Sequence, residues 1–303
     1  MSATRLSPPM DAREQEHRHP KPQVPDEATT RNLRLPLIAS VALTVGTAVA
    51  SVVGISLGPE LYGSDPPLIL VSPGGDLANL AIVLPALIAT TWFAWRGSFF
   101  GLLLWPGALF YGLYIYAVYL VGAPAGMMLF VYVALVAVIA TSLVVTLASI
   151  DTEEIRGRLI NAPVRFAGGA LLIIGVAAYA GLTATALSEF TGATSEPGFR
   201  PQWVIDCALG TPPLLIAGLL AWLRRPMGYA TVGGLLFVSG LGGLAFAAAA
   251  VFQGLLSDAP IEAAVVAVHL VIGAVSFGLL VWFLARQARP FPLSIANVLR
   301  KGG

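Results

Sequence analysis

Three carboxylates and one imidazole stand inside or at the ends of stretches of this sequence that are otherwise apolar: Asp76, Asp206, Glu262 and His269. A charge in hydrocarbon is costly, so an ionisable group there faces a bundle interior or a wet cavity and marks a candidate site. Carboxylates beside an imidazole can bind a cation, pass protons, or act as acid and base near neutral pH. Glu262, His269 and Ser276 recur at intervals of seven and share one helix face; Gln202, Asp206 and Gly210 form a second stripe, and Asp76 and Asn79 a third. The expectation is a single ligand-binding pocket, opening outward, that gathers these acids and His269. Tyr111 and Tyr114 lie deep in another apolar run, need partners for their hydroxyls, and join the candidate ligand-binding residues. A structural use competes with each assignment. Asp76 and Asp206 also begin helices, where a carboxylate suits the free amides and the positive dipole end, and His269 would be satisfied by one hydrogen bond.

The elements that must position these groups are set by solvent. The 303 residues are 57% hydrophobic and only 11% charged, against roughly 25% charged in an ordinary soluble domain. Their apolar residues come in runs of about 20, the length of helix that crosses a bilayer core. Lipid offers the backbone no hydrogen-bond partner, so such runs are helices. The fold class expected is therefore all-α: a polytopic transmembrane helical bundle of eight spans at about 35–57, 77–95, 99–121, 126–149, 166–188, 203–223, 228–252 and 263–284. Residues 1–34, rich in Pro and charge, are expected as a disordered tail that contains His17 and His19. Spans 1–4 then fill 35–149, an amphipathic linker fills 150–165, spans 5–8 fill 166–284, and 285–303 form a second tail.

With the amino terminus inside, every one of the 17 basic residues except Arg200 falls on the cytoplasmic side, whereas Glu60, Asp65, Asp76, Glu189, Glu196, Asp206, Asp258 and Glu262 fall on or near the outer side. The excess of Lys and Arg on one side sets the expected orientation, a multi-pass protein of the cell membrane with both ends cytoplasmic. A faint internal repeat accompanies this topology. Residues 85–101 align without gaps to 213–229, matching Pro85 with Pro213 and Arg96 with Arg224, and four spans per half make the copies parallel rather than inverted.

Residue types exclude several chemistries. The two lysines, Lys21 and Lys301, lie in the tails, so no Schiff base forms within the bundle. One intramembrane histidine cannot supply both ligands of a bis-histidine haem or a His-rich metal centre, and one cysteine, Cys207, cannot form an intrachain disulfide. No P-loop, G-x-S-x-G or H-E-x-x-H occurs. No cofactor and no metal are expected, and scattered basic residues imply no nucleic-acid partner. The first span carries Gly46, Ala50, Gly54 and Gly58 at intervals of four, a close-packing face that also allows an oligomer. Tyr111, Tyr114, Tyr116 and Tyr119 spread over roughly 200° of the third helix, so some are expected to face lipid, with Tyr119 as an interfacial anchor.

The stretch RGSFFGLLLWPGALFYGLYIYAVYLVGAP at 96–124, followed by FVYVAL at 130–135 and by Asp151, resembles a pattern in uncharacterised multi-pass membrane proteins of prokaryotes. That resemblance implies an eight-span architecture and no activity. A transporter-like protein for an ion or small solute, with the lipid bilayer and that ligand as its partners, is the function the residues favour. A non-catalytic membrane scaffold or partner subunit, and an intramembrane enzyme or redox protein, are the alternatives.

Overall fold

The computed structural model describes residues 27–63, 68–122, 126–191, 199–257 and 260–286; His17 and His19, and most of both expected tails, lie outside them. Helix α1 (Glu27–Tyr62) already begins in the charged segment ahead of the first apolar run. It is followed by α2 (Pro73–Trp95), α3 (Phe99–Gly122), α4 (Met127–Ala148), a short α5 (Thr152–Arg158), α6 (Val164–Phe190), α7 (199–222), α8 (Pro226–Ser257) and α9 (Ala263–Ala285). All but α5 contain a stretch long and apolar enough to cross a bilayer, so the described residues form an all-α bundle with eight membrane spans.

Two helices form the centre. The apolar windows of α3 and α8 are 83% and 56% buried, against at most 39% in the other six. Helix α3 is packed by α2, α4, α7 and α8, so its surface has no lipid-facing side along most of its length. The expectation that some of its tyrosines face lipid is therefore overturned. Tyr111, Tyr116 and Tyr119 are buried and Tyr114 is half-buried, Tyr119 being an interior residue rather than an interfacial anchor. The amphipathic linker is α5, whose first amides are capped by Asp151 through Glu154 N at 3.0 Å. Pairs Arg156–Glu153 and Arg158–Glu154 lie along it, and the Arg158 guanidinium sits over the Phe99 ring at the start of α3.

The two halves are built alike, with a register one residue away from the sequence alignment. In α2 and α7 the π-helical turns Asn79–Val83 and Asp206–Gly210, the helical segments Leu84–Trp95 and Thr211–Trp222, and the following starts at Phe99 and Pro226 are all 127 residues apart. Pro85 thus corresponds to Pro212 rather than to Pro213. The same spacing relates Gly97 and Arg224, which turn the chain with positive φ (69° and 54°) between one span and the next. It also relates Gly107 of α3 and Gly234 of α8, whose backbones touch so closely that a Cβ on either would press on the other. Equivalent positions that meet each other are the signature of a two-fold relation between the two helices, and small residues are what permit backbone contact in lipid.

Candidate functional site

Asp206 is the first residue of the π-helical turn in α7. Such a turn inserts an extra residue into the helical ladder and leaves a backbone carbonyl without its usual donor. Here the Cys207 carbonyl accepts a hydrogen bond from the Tyr179 hydroxyl of α6 at 2.8 Å, and Pro212, which has no N–H to offer, follows at the start of the next helical segment. The interruption holds Asp206 half-buried at the edge of a cavity of about 440 Å³, a size typical of small-molecule sites. Its Oδ1 accepts from the Tyr114 hydroxyl of α3 at 2.7 Å, and Gln202, one turn earlier on α7, bonds the same carboxylate.

The other walls come from α3, α6, α8 and α9. Tyr111 precedes Tyr114 by about one turn, and its hydroxyl has no hydrogen-bond partner among the described residues. Helix α8 supplies Ser239, Gly242 and Phe246, and α9 supplies His269. The His269 ring lies flat on Phe246, with centroids 4.0 Å apart and planes 13° from parallel. Its Nδ1 is 2.8 Å from the Val265 carbonyl oxygen. A carbonyl only accepts, so Nδ1 carries the proton in the neutral ring and Nε2 is left as an acceptor.

Asp76 occupies a second, closed cluster. Ser72 caps α2 by accepting from Gly75 N at 3.0 Å, so the cap role that the sequence offered to Asp76 belongs to Ser72. Asp76, one turn further on, is buried to 1% exposure. Its Oδ2 accepts from the Tyr62 hydroxyl at 2.7 Å and its Oδ1 from the Tyr119 hydroxyl at 3.0 Å. The Ser51 hydroxyl of α1 lies beside the same carboxylate. Asn79 Nδ2 donates to the Tyr119 oxygen at 3.3 Å, and the rings of Tyr116, Tyr119 and Tyr132 stack around the group at 5.3–6.1 Å. Gly54 of α1 lies directly against it, and a Cβ there would overlap both the Asp76 carboxylate and the Tyr62 hydroxyl. Burial and the adjacent carboxylate push the Tyr62 hydroxyl far above the ordinary tyrosine range, which keeps it a donor.

The expected single pocket is thus divided. Asp206, His269, Tyr111 and Tyr114 share the cavity; Asp76 and Asn79 lie in the closed cluster; Glu262 is exposed at the start of α9, makes no capping bond with its side chain and does not line the cavity. The reason is helical geometry. Asp206 reaches Tyr114 and Asp76 reaches Tyr119, five residues along the same helix and therefore about 140° apart around it. Nor does Asp206 begin its helix, as the sequence suggested: it stands seven residues inside α7. Gln202 was visible as part of the Asp206 stripe, but Ser239 and Phe246 carry no signal in the sequence. Tyr62, beyond the apolar run of α1, carries none either. Among the described residues no group of three or more His, Cys, Asp or Glu side chains could hold a metal ion. No protein-family model matches this chain, and neither the curated proteins nor the solved structures offer a match.

Proposed function

We propose that this multi-pass membrane protein binds a small solute in the Asp206 cavity and carries it across the membrane. The observation that supports this is the cavity itself: about 440 Å³ inside the bundle, holding one carboxylate, two tyrosines, a glutamine, a histidine and the hydroxyls of Thr185, Thr211 and Ser239 in a wall that is mostly apolar. A binding pocket has this make-up, a mostly apolar surface with a few convergent polar groups. Carriage is favoured by the helix that bears Asp206. A span interrupted by a π-helical turn and prolines, in a chain whose halves repeat, is the kind of element transporters place at a substrate site.

The protein lies in the cell membrane with both ends cytoplasmic in this reading, and the cavity, near the amino-terminal part of α7 and α9, opens to the outside. A reporter inserted between residues 58 and 75 should then register as external; an internal signal would overturn the orientation. For the site, native mass spectrometry of gently purified protein should detect a non-lipid adduct that disappears in Asp206→Asn while the unfolding temperature changes by no more than a few degrees. An adduct retained equally by the variant would place the ligand elsewhere and remove the basis of the proposal.

A further inference from the structure

We infer that the ligand of this cavity is an organic monocation, an amine or quaternary ammonium carried on an apolar body; the inference rests on the cavity being the binding site. Three features of the wall converge on it. Among the described residues that line it, Asp206 is the only carboxylate and neither Lys nor Arg is present, so an anionic solute would find no counter-charge there. Among the described residues, the ion pairs are confined to α5, and none involves Asp206. A carboxylate that faces a cavity with hydrogen-bond donors but no cation of its own is an unfilled half of an ion pair.

Second, the wall beside Asp206 is aromatic. Phe110, Tyr111, Tyr114 and Phe246 line the same space, and aromatic faces attract ammonium groups through the ring quadrupole. Third, where the ligand is an amine, the remaining polar groups include acceptors suited to its N–H donors: His269 Nε2, left free by the bond of Nδ1 to Val265, and the Ser239 hydroxyl. An inorganic cation is a poorer fit. Hard metal ions take six or more oxygen ligands at about 2.0–2.6 Å, whereas this cavity, at about 440 Å³, has several times the volume of such a shell and offers one carboxylate among its described residues. What it matches is a single positive charge attached to enough hydrocarbon to cover an apolar wall.

Three probes of one shape test this: 3-phenylpropyl-trimethylammonium, its neutral analogue with carbon in place of nitrogen, and 4-phenylbutyrate. Binding is measured on the purified full chain in detergent by isothermal titration, with wild type and Asp206→Asn compared. The expected result is that the ammonium binds the wild type at least about tenfold more tightly than the neutral isostere, while the carboxylate does not bind. Asp206→Asn should bring ammonium and isostere to within about twofold of each other. The comparison within wild type needs no variant, so a poorly folding Asp206→Asn would not blunt it. If the neutral or anionic probe binds as well as the cation and loses affinity in Tyr111→Ala, the cavity remains the site and the charge assignment is overturned. If no probe binds and no adduct depends on Asp206, both the charge assignment and the site fail.

Discussion

Each half of the chain holds an acidic side chain on its π-turn helix, Asp76 one turn ahead of the position that corresponds to Asp206, and the two halves treat these acids in opposite ways. The 127-residue spacing sets Asn79 against Asp206 and Tyr119 against Phe246. The ends of α4 and α9, Ala148 and Ala285, are 137 apart, which sets Tyr132 against His269. In the first half Tyr116, Tyr119 and Tyr132 pack their rings together, and Asp76 is sealed behind them. In the second, Gly242 stands where Ile115 would be and leaves room beside Tyr111, while Gly243, where Tyr116 would be, lets α8 lie against the α9 backbone; the space is a cavity into which Asp206 and His269 look. One architecture thus serves as a buried polar lock or as an open site. What decides between them is whether rings fill the volume and whether the carboxylate's acceptors are used up by the protein's own donors.

The largest test strikes at the relation between the halves. Gly107→Val or Gly234→Val inserts atoms where α3 and α8 touch backbone to backbone. Either should destabilise the bundle by on the order of 3 kcal/mol or more, lowering the yield of monodisperse protein on size-exclusion chromatography. Normal yield and melting temperature for both would mean that the contact carries no weight in the fold.

A smaller effect separates the two acids. Asp76→Ala strands the Tyr62 and Tyr119 hydroxyls in a dry interior and should cost about 2–3 kcal/mol in thermal unfolding. Asp206→Ala, beside an open cavity, should cost under about 1 kcal/mol. Equal losses would contradict the division into lock and site. The smallest expected change in stability, and the sharpest change in function, comes from His269→Tyr, which gives the second half the residue of the first. Stability should stay within about 1 kcal/mol because the cavity has room for the larger ring, while affinity for the ammonium probe falls at least about tenfold as the space fills. Unchanged affinity would show that His269 stands beside the ligand's position rather than at it.

Much of the fold was legible in the sequence. The eight spans follow from run length, and the helix ends differ from the sequence boundaries by only a few residues apart from both ends of α1 and the end of α8. The repeat was legible too, yet displaced by one position. Gapless alignment of Pro85 with Pro213 overlooks Pro212, whereas the helix ends, the left-handed turns at Gly97 and Arg224, and the Gly107–Gly234 contact agree on 127. The site was less legible. Asp206, His269, Tyr111 and Tyr114 were suspect because polar groups in lipid are costly, but nothing in their spacing says that Asp76 and Asn79 belong to a different cluster, or that Glu262 belongs to neither. The glycine stripe of α1 announced a packing face without revealing that at Gly54 the packed group is the Asp76 carboxylate.

The sequence by itself determined the solvent, the helices and the number of crossings, because hydrocarbon leaves a backbone no other way to satisfy its hydrogen bonds and charges each span by length and polarity alone. Only the tertiary structure decided which carboxylate is locked and which is open. That depends on what stands opposite each one across α3 and α8, on Tyr62 and Ser51 around Asp76 and on Tyr114, Gly243 and His269 around the Asp206 cavity. These partners come from helices far apart in the chain, and no local pattern records which faces of those helices will meet.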